Sequence, residues 1–307
     1  MNIEERINEG FRRLSQTAKD WSNPTPEETA AARHELARRR EDGGTLLHDL
    51  AREGQLGEAS PLLTSDLLQM TKADGFSVVH VAARYGSLGQ IPATLLTGQM
   101  LALRKGRGWT PAHLAARNGT LDQIADLLSR ELLTMPDGHG DTPIHLAARY
   151  GDLGQIPPHL LTAQMFVVQD RHGYTPVHGA AESKTLDRIP AGLLTSELLS
   201  IPDASGYTPI HLAAWHENLC QIPPHLLTSQ MFARQTKTGW TPVHLAAMSK
   251  TLDRIPFDLL DQAMVEIRDV DQAIRYILAK DRNFIEANLM RFSEEVRAAL
   301  LADMLAA

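Results

Sequence analysis

Gly206-Tyr207-Thr208-Pro209-Ile210-His211-Leu212-Ala213-Ala214 is the stretch on which the fold turns. Close copies begin at Gly75, Gly108, Gly140, Gly173 and Gly239, and a worn copy begins at Gly43. Successive glycines are 32, 33, 32, 33, 33 and 33 residues apart. Thr208 suits a helix N-cap, and Pro209 fits the first helical position, where a missing N–H costs nothing. Ile210, Ala213 and Ala214 fall on one helical face, and the two alanines let a neighbouring helix come close. Gly206 marks a turn with positive φ. A capped helix of about ten residues is marginal alone in water, so each copy must bury its face against the next.

A period near 33 built on Thr-Pro-x-His-x-Ala resembles the ankyrin-repeat family over residues 43–269. The resemblance implies an all-α solenoid of about seven repeats. Residues 1–42 and 270–307 are then expected to be helical caps, because terminal repeats need a polar outer face. The first copy, Gly43 to Gly54, keeps Thr45, His48 and Ala51 but has Leu46 in place of the proline, as an end repeat would.

The composition narrows the function classes. A hydrophobic content of 43% supports a continuous core, and a formal charge of −7 predicts no nucleic-acid partner. Cys220 is the single cysteine, which excludes an internal disulfide framework and suits a reducing compartment. The opening Met-Asn-Ile-Glu-Glu-Arg lacks the pattern of a signal peptide. No run approaches about 18 apolar residues, the length needed to cross a bilayer. The expectation is a cytoplasmic monomer with no membrane association.

In the N-terminal flank, Ile3, Ile7, Phe11 and Leu14 predict one amphipathic helix over 3–19. Thr25-Pro26-Glu27-Glu28 predicts a capping box opening a second helix that runs to about Arg40. Arg38-Arg39-Arg40 is then read as a basic last turn that complements the helix dipole. In the C-terminal flank, helices are expected over Asp271–Ala279, Phe284–Phe292 and Ser293–Leu305.

The second half of most repeats reads Ile-Pro-x-x-Leu-Leu-Thr, at Ile91, Ile156, Ile189 and Ile222, with a shorter Ile255-Pro256 in the last. Proline breaks a helix interior, so a short helix should start there, with Thr162, Thr195 and Thr228 capping a further turn. The repeat from Gly108 is the exception, with Ile124-Ala125. The motif helices should end in a left-handed residue at Gly86, Gly119 and Gly151. Lys184, Glu217 and Lys250 stand there later, so either those helices end differently or residues 173–260 are locally less stable.

Thirteen histidines invite a metal hypothesis, but seven of them (His48, His80, His113, His145, His178, His211 and His244) share one motif position. Zinc needs its nitrogen ligands at about 2.0–2.1 Å, whereas packed helices lie about 8–10 Å apart. The resemblance implies instead that these rings tie neighbouring loops by hydrogen bonds. There is no phosphate-binding glycine loop, no nucleophile constellation, and no flank long enough for a catalytic domain. No enzyme activity, cofactor or metal is expected.

The aromatics carry the functional reading. Phe76, Trp109, Tyr174, Tyr207 and Trp240 follow motif glycines; Arg84-Tyr85, Arg117, Arg149-Tyr150 and Trp215 follow Ala-Ala pairs. In the ankyrin family such variable positions line the concave face where partners dock. Aromatics with arginines match the composition of interface hot spots. The opposing reading is that the rings pack on adjacent loops and stiffen the stack. The expectation is a protein–protein interaction scaffold, with a host-directed effector whose flanks carry a separate activity as the alternative.

Overall fold

The computed structural model describes residues 2–16, 24–267 and 273–306. Among these residues the chain is all-α: helices alternate with tight loops and no strand forms. Two compact units separate, Met1–Ala147 with Gly154–Leu161, and Ala148–Leu153 with Thr162–Ala307.

Every repeat contributes one motif helix: Leu46–Glu53, Val78–Tyr85, Pro111–Asn118, Pro143–Tyr150, Pro176–Ser183, Pro209–Trp215 and Pro242–Met248. The reason is visible in the caps. The Thr (Ser77 in one repeat) sits at N-cap in extended conformation, and where the sequence has proline it occupies the first turn. In the first unit the helices of repeats 43, 75 and 108 pack side by side through fully buried Ala51, Ala82, Ala83, Ala115 and Ala116. In the second, those of repeats 173, 206 and 239 do the same through Ala180, Ala181, Ala213, Ala214, Ala246 and Ala247. Phe166 and Phe232 fill the largest apolar positions behind them.

The second half of each repeat is more broken than proline alone predicts. A 3-10 turn such as Leu88–Gln90 or Leu153–Gln155 comes first. A proline-started 3-10 turn follows only in the Ile-Pro-Pro repeats, at Pro158–Leu160 and Pro224–Leu226. A short α-turn such as Gly98–Leu101 closes the repeat, except in the last one, where Phe257–Ile267 is a full helix. The Gly108 repeat is no exception: Leu121–Leu127 breaks at Ile124 (φ −127°, ψ 19°) without a proline. The break is therefore a demand of packing that proline accommodates. Thr195 caps its turn by accepting from the Leu198 amide, but Thr162 and Thr228 occupy the N-cap position without such a bond.

The flanks pack on the end repeats of their own units. Ile3–Leu14 and Pro26–Ala37 both contact Leu46–Glu53, and each opens with a capping box, Asn2 with Glu5 and Thr25 with Glu28. The first ends before its expected limit, and residues 17–19 lie outside the described residues. The second stops at Ala37, so Arg38-Arg39-Arg40 is not a last helical turn. The chain turns there because Arg40 already belongs to the first repeat's loop, exchanging backbone bonds with Gly43 and Gly44. Arg39 donates to the Thr71 and Gly43 carbonyls, and Arg40 pairs with Asp42 and Asp49. At the other end Ala273–Asn288 is broken by the non-helical Asp281 (φ −138°, ψ 52°) between the two expected helices, and the second passes into a 3-10 turn at Leu289–Arg291 before its expected end. Asp271 and the boundary expected at 269/270 lie outside the described residues. Glu294–Ala306 follows; Ser293 gives its amide and hydroxyl to Asp261 at 3.0 Å each.

Candidate functional site

The loops decide where the candidate residues sit. In the second unit the Asp170 and Asp203 carboxylates accept from amides two and four residues on, which folds the loop around the motif glycine. The same Asp170 and Asp203 amides donate to the carbonyls of Tyr174 and Tyr207. The residue after the glycine is thereby held by its backbone. Its ring lies over the histidine of its own repeat: Phe76 on His80, Trp109 on His113, Tyr174 on His178, Tyr207 on His211 and Trp240 on His244, at 5.0–5.9 Å between centroids. All five rings are half-buried. Burial pushes the Tyr174 hydroxyl up to about 12.

The residues after Ala-Ala are different. Tyr85, Tyr150 and Trp215 are 45%, 48% and 45% exposed, and Arg84 and Arg117 are exposed with them. In the first unit the rings carry cations: Arg52 and Arg84 lie 5.5 and 5.8 Å from the centre of Tyr85, and Arg117 5.7 Å from that of Trp109. Lys105 sits 3.3 Å over Phe76. In the second unit Arg149 faces Glu182 at 3.9 Å, and Trp240 packs on Tyr276. The eleven candidates thus fall into two groups by unit and two kinds by position.

The motif histidines are held by hydrogen bonds within their own caps. In all seven repeats the Nδ1 accepts a 2.7–2.9 Å bond from the cap hydroxyl. It accepts the cap amide as well, so the imidazole closes a capping box in the place usually taken by Glu. The proton therefore sits on Nε2, which donates to a carbonyl of the next loop: His48 to Phe76 (3.2 Å), His80 to Leu103 (3.0 Å), His113 to Asp141 (3.1 Å) and His178 to Tyr207 (3.1 Å). His211 donates to Arg234 and Trp240 at 3.0 and 3.2 Å. Burial holds His48 and His211 down at about 4 and lowers His80, His113 and His244. In His48, His80, His113, His178 and His211 one nitrogen accepts and the other donates, so neither aims a lone pair at an ion. Among the described residues no cluster of three His, Cys, Asp or Glu is arranged for a metal.

This clamp, repeated with the same partners, is the local structure that a Thr-Pro-x-His repeat encodes. A family model described as Ankyrin repeats (3 copies) matches residues 79–156. Residues 79–156 are ankyrin repeats. The search of curated proteins found no match. Ankyrin repeats are generally protein-binding scaffolds and typically non-catalytic. Among the described residues no helix is long and apolar enough to cross a membrane.

One device of the repeats was not read from the sequence. Gln90, Gln123, Gln155 and Gln221 each reach back one repeat, donating Nε2 to the carbonyl of the left-handed residue at Gly54, Gly86, Gly119 and Lys184. Each also accepts a backbone amide there through Oε1. The signal was present as the recurring Gln-Ile pair.

Proposed function

We propose that this chain is a non-catalytic scaffold that takes a protein partner along the residues after the motif glycines and the Ala-Ala pairs. These are Phe76, Arg84, Tyr85, Trp109 and Arg117 in one unit, and Arg149, Tyr150, Tyr174, Tyr207, Trp215 and Trp240 in the other. In this reading residues 43–269 are the scaffold, 1–42 and 270–307 cap it, and it works as a monomer in the cytoplasm. The supporting observation is the exposure of Tyr85, Tyr150 and Trp215, close to half of each ring residue. Repeat packing does not require large rings at those positions, since Asn118, Ser183 and Ser249 stand where Tyr85 and Tyr150 do, and Glu182 stands where Trp215 does. Exposed Tyr and Trp beside Arg are the residue types that dominate interface energies. The post-glycine rings, seated on histidines, contribute rigidity and a smaller contact area.

The test is partner capture followed by mutation. Tyr85→Ser, Tyr150→Ser and Trp215→Ser together should weaken binding of a captured partner by more than about 2 kcal/mol, with the melting temperature little changed. Undiminished binding by the folded triple variant would remove these residues from the site.

A further inference from the structure

Arg52, Arg84 and Arg117 occupy one motif position, nine residues after Gly43, Gly75 and Gly108. Their helices pack side by side in the first unit, so the three guanidinium groups form a row with one member per repeat. Each is steered by a ring, Arg52 and Arg84 at Tyr85 and Arg117 at Trp109. A cation within about 6 Å of a ring centroid is attracted to its face, which narrows where the head group points.

The row has charge to spare. A 110 Å³ cleft beneath Tyr85 is lined by five cations and three carboxylates. All three carboxylates are engaged: Asp49 by Arg6 and Arg40, Asp42 by Arg40, and Asp74 by Lys72. The carboxylate within ion-pair distance of Arg52, among the described residues, is that of its neighbour Glu53, at 4.0 Å. Among the described residues no carboxylate lies within ion-pair distance of Arg84, Arg117 or Lys105. This local excess stands in a chain of net charge −7. That overall charge disfavours a long polyanion and suits a short segment whose charges meet the row one by one.

Spacing then fixes the register. Packed helices repeat at about 8–10 Å. A polyproline II strand rises about 3.1 Å per residue with three residues per turn, so every third side chain returns to one face after about 9 Å. We propose that the row Arg52–Arg84–Arg117 binds an extended acidic segment of a partner protein carrying Asp or Glu at every third position, with Tyr85, Phe76 and Trp109 flanking it. The proposal rests on the protein-binding reading above and deepens it. Arg149, at the equivalent position of the following repeat, faces Glu182 and is not counted in the row.

The experiment titrates the full chain with labelled peptides of roughly twelve residues, reading fluorescence anisotropy. One peptide repeats Pro-Pro-Glu, a second has the same composition with contiguous glutamates, and a third replaces Glu by Gln; a thymidine oligonucleotide of similar length is the polyanion control. The triplet peptide should bind about tenfold or more tighter than the contiguous one. Arg84→Gln and Arg117→Gln should each weaken it by roughly tenfold, the loss of one charge-assisted pair. Arg84→Lys should retain part of the affinity, and Arg12→Gln, in the N-terminal flank, should change nothing. Unaltered melting curves of the Gln variants show that the fold is kept. Equal affinity for the triplet and contiguous peptides, or tighter binding of the oligonucleotide, overturns the proposal. Binding of the Gln peptide that is lost in Tyr85→Ser overturns the acidic partner while leaving a protein-binding face. No binding by any peptide overturns this proposal alone, because capture of a partner sensitive to the ring triple tests the wider reading separately.

Discussion

Four motif helices end on glycine, at Gly54, Gly86, Gly119 and Gly151, and three end before a residue with a side chain, Lys184, Glu217 or Lys250. The left-handed turn itself is the same in both sets. φ is 68° to 83° in the glycine set and 55° to 64° in the other, left-handed throughout. In both sets the following amide turns back to the helix: Ser87 to Ala82 and Thr120 to Ala115 in one, Thr185 to Ala180, Asn218 to Ala213 and Thr251 to Ala246 in the other. Of the two outcomes the sequence left open, a different helix end occurs in two repeats: Pro209–Trp215 and Pro242–Met248 stop one residue sooner, capped by His216 and Ser249, while the left-handed residue keeps its place. Neighbouring repeats dictate the conformation, and a residue ill suited to it complies at a cost of roughly 1–2 kcal/mol.

The largest expected effect tests what the two sets share. His48 lies in a glycine-ended repeat and His211 in a side-chain-ended one, and burial brings both from 6.5 to about 4. Above pH 6.5 folded and unfolded rings are both neutral and stability is complete. As pH falls from 6.5 toward 4 the unfolded chain binds protons that the folded chain refuses, so stability drops, by on the order of 3 kcal/mol for each of these two rings. Denaturant melts at pH 7.5 and pH 4.5 measure it; a flat profile would mean that the clamp is absent in solution. Next in size, His113→Ala and His211→Ala should each cost about 1–3 kcal/mol by orphaning carbonyls and cap hydroxyls. A marked inequality between them would show that the repeat sets differ in more than their helix ends.

Smaller effects address the ends themselves. Gly54→Ala should destabilise by about 1–2 kcal/mol through backbone strain, since its new Cβ meets nothing nearer than Gln90 Nε2 at 3.8 Å. Gly151 is a poorer probe, because a Cβ there comes within 3.2 Å of Thr185. In the opposite direction Lys184→Gly and Lys250→Gly should stabilise by less than about 1 kcal/mol each, strain relief being partly offset by the freer unfolded chain. Hydrogen exchange at the Thr185 and Thr251 amides should slow accordingly. If these variants lose stability instead, the side chains make contacts that outweigh the strain.

Much of this was legible because the motif is a chain of local physics. Thr at the cap, Pro at the first turn and Ala-Ala at the contact mean the same thing in every copy, and they are reported by residue type alone. What was not legible depends on a neighbour. The break at Ile124 has no local cause, and only the stacking of second halves requires it. Arg38 to Arg40 read as a helix end because nothing nearby announces that Arg40 is already needed by the first loop. The candidate residues divide in the same way. Sequence placed Tyr85 and Phe76 in one set, yet the ring after glycine lies on a histidine while the ring after Ala-Ala is open to solvent, a distinction made by the loop that folds around each.

A row of similar interfaces changes character where the repeat stops, and in the last repeat the change is marked by Tyr276. Its ring stands 4.9 Å from Trp240 and 5.7 Å from His244, in the space where earlier histidines meet the carbonyl of a following loop. Among the described residues no carbonyl accepts from the His244 Nε2. Tyr276 thus gives the last repeat's histidine an aromatic neighbour where the repeats before it in this unit give theirs a carbonyl, so this end of the second unit differs from every interface between its repeats.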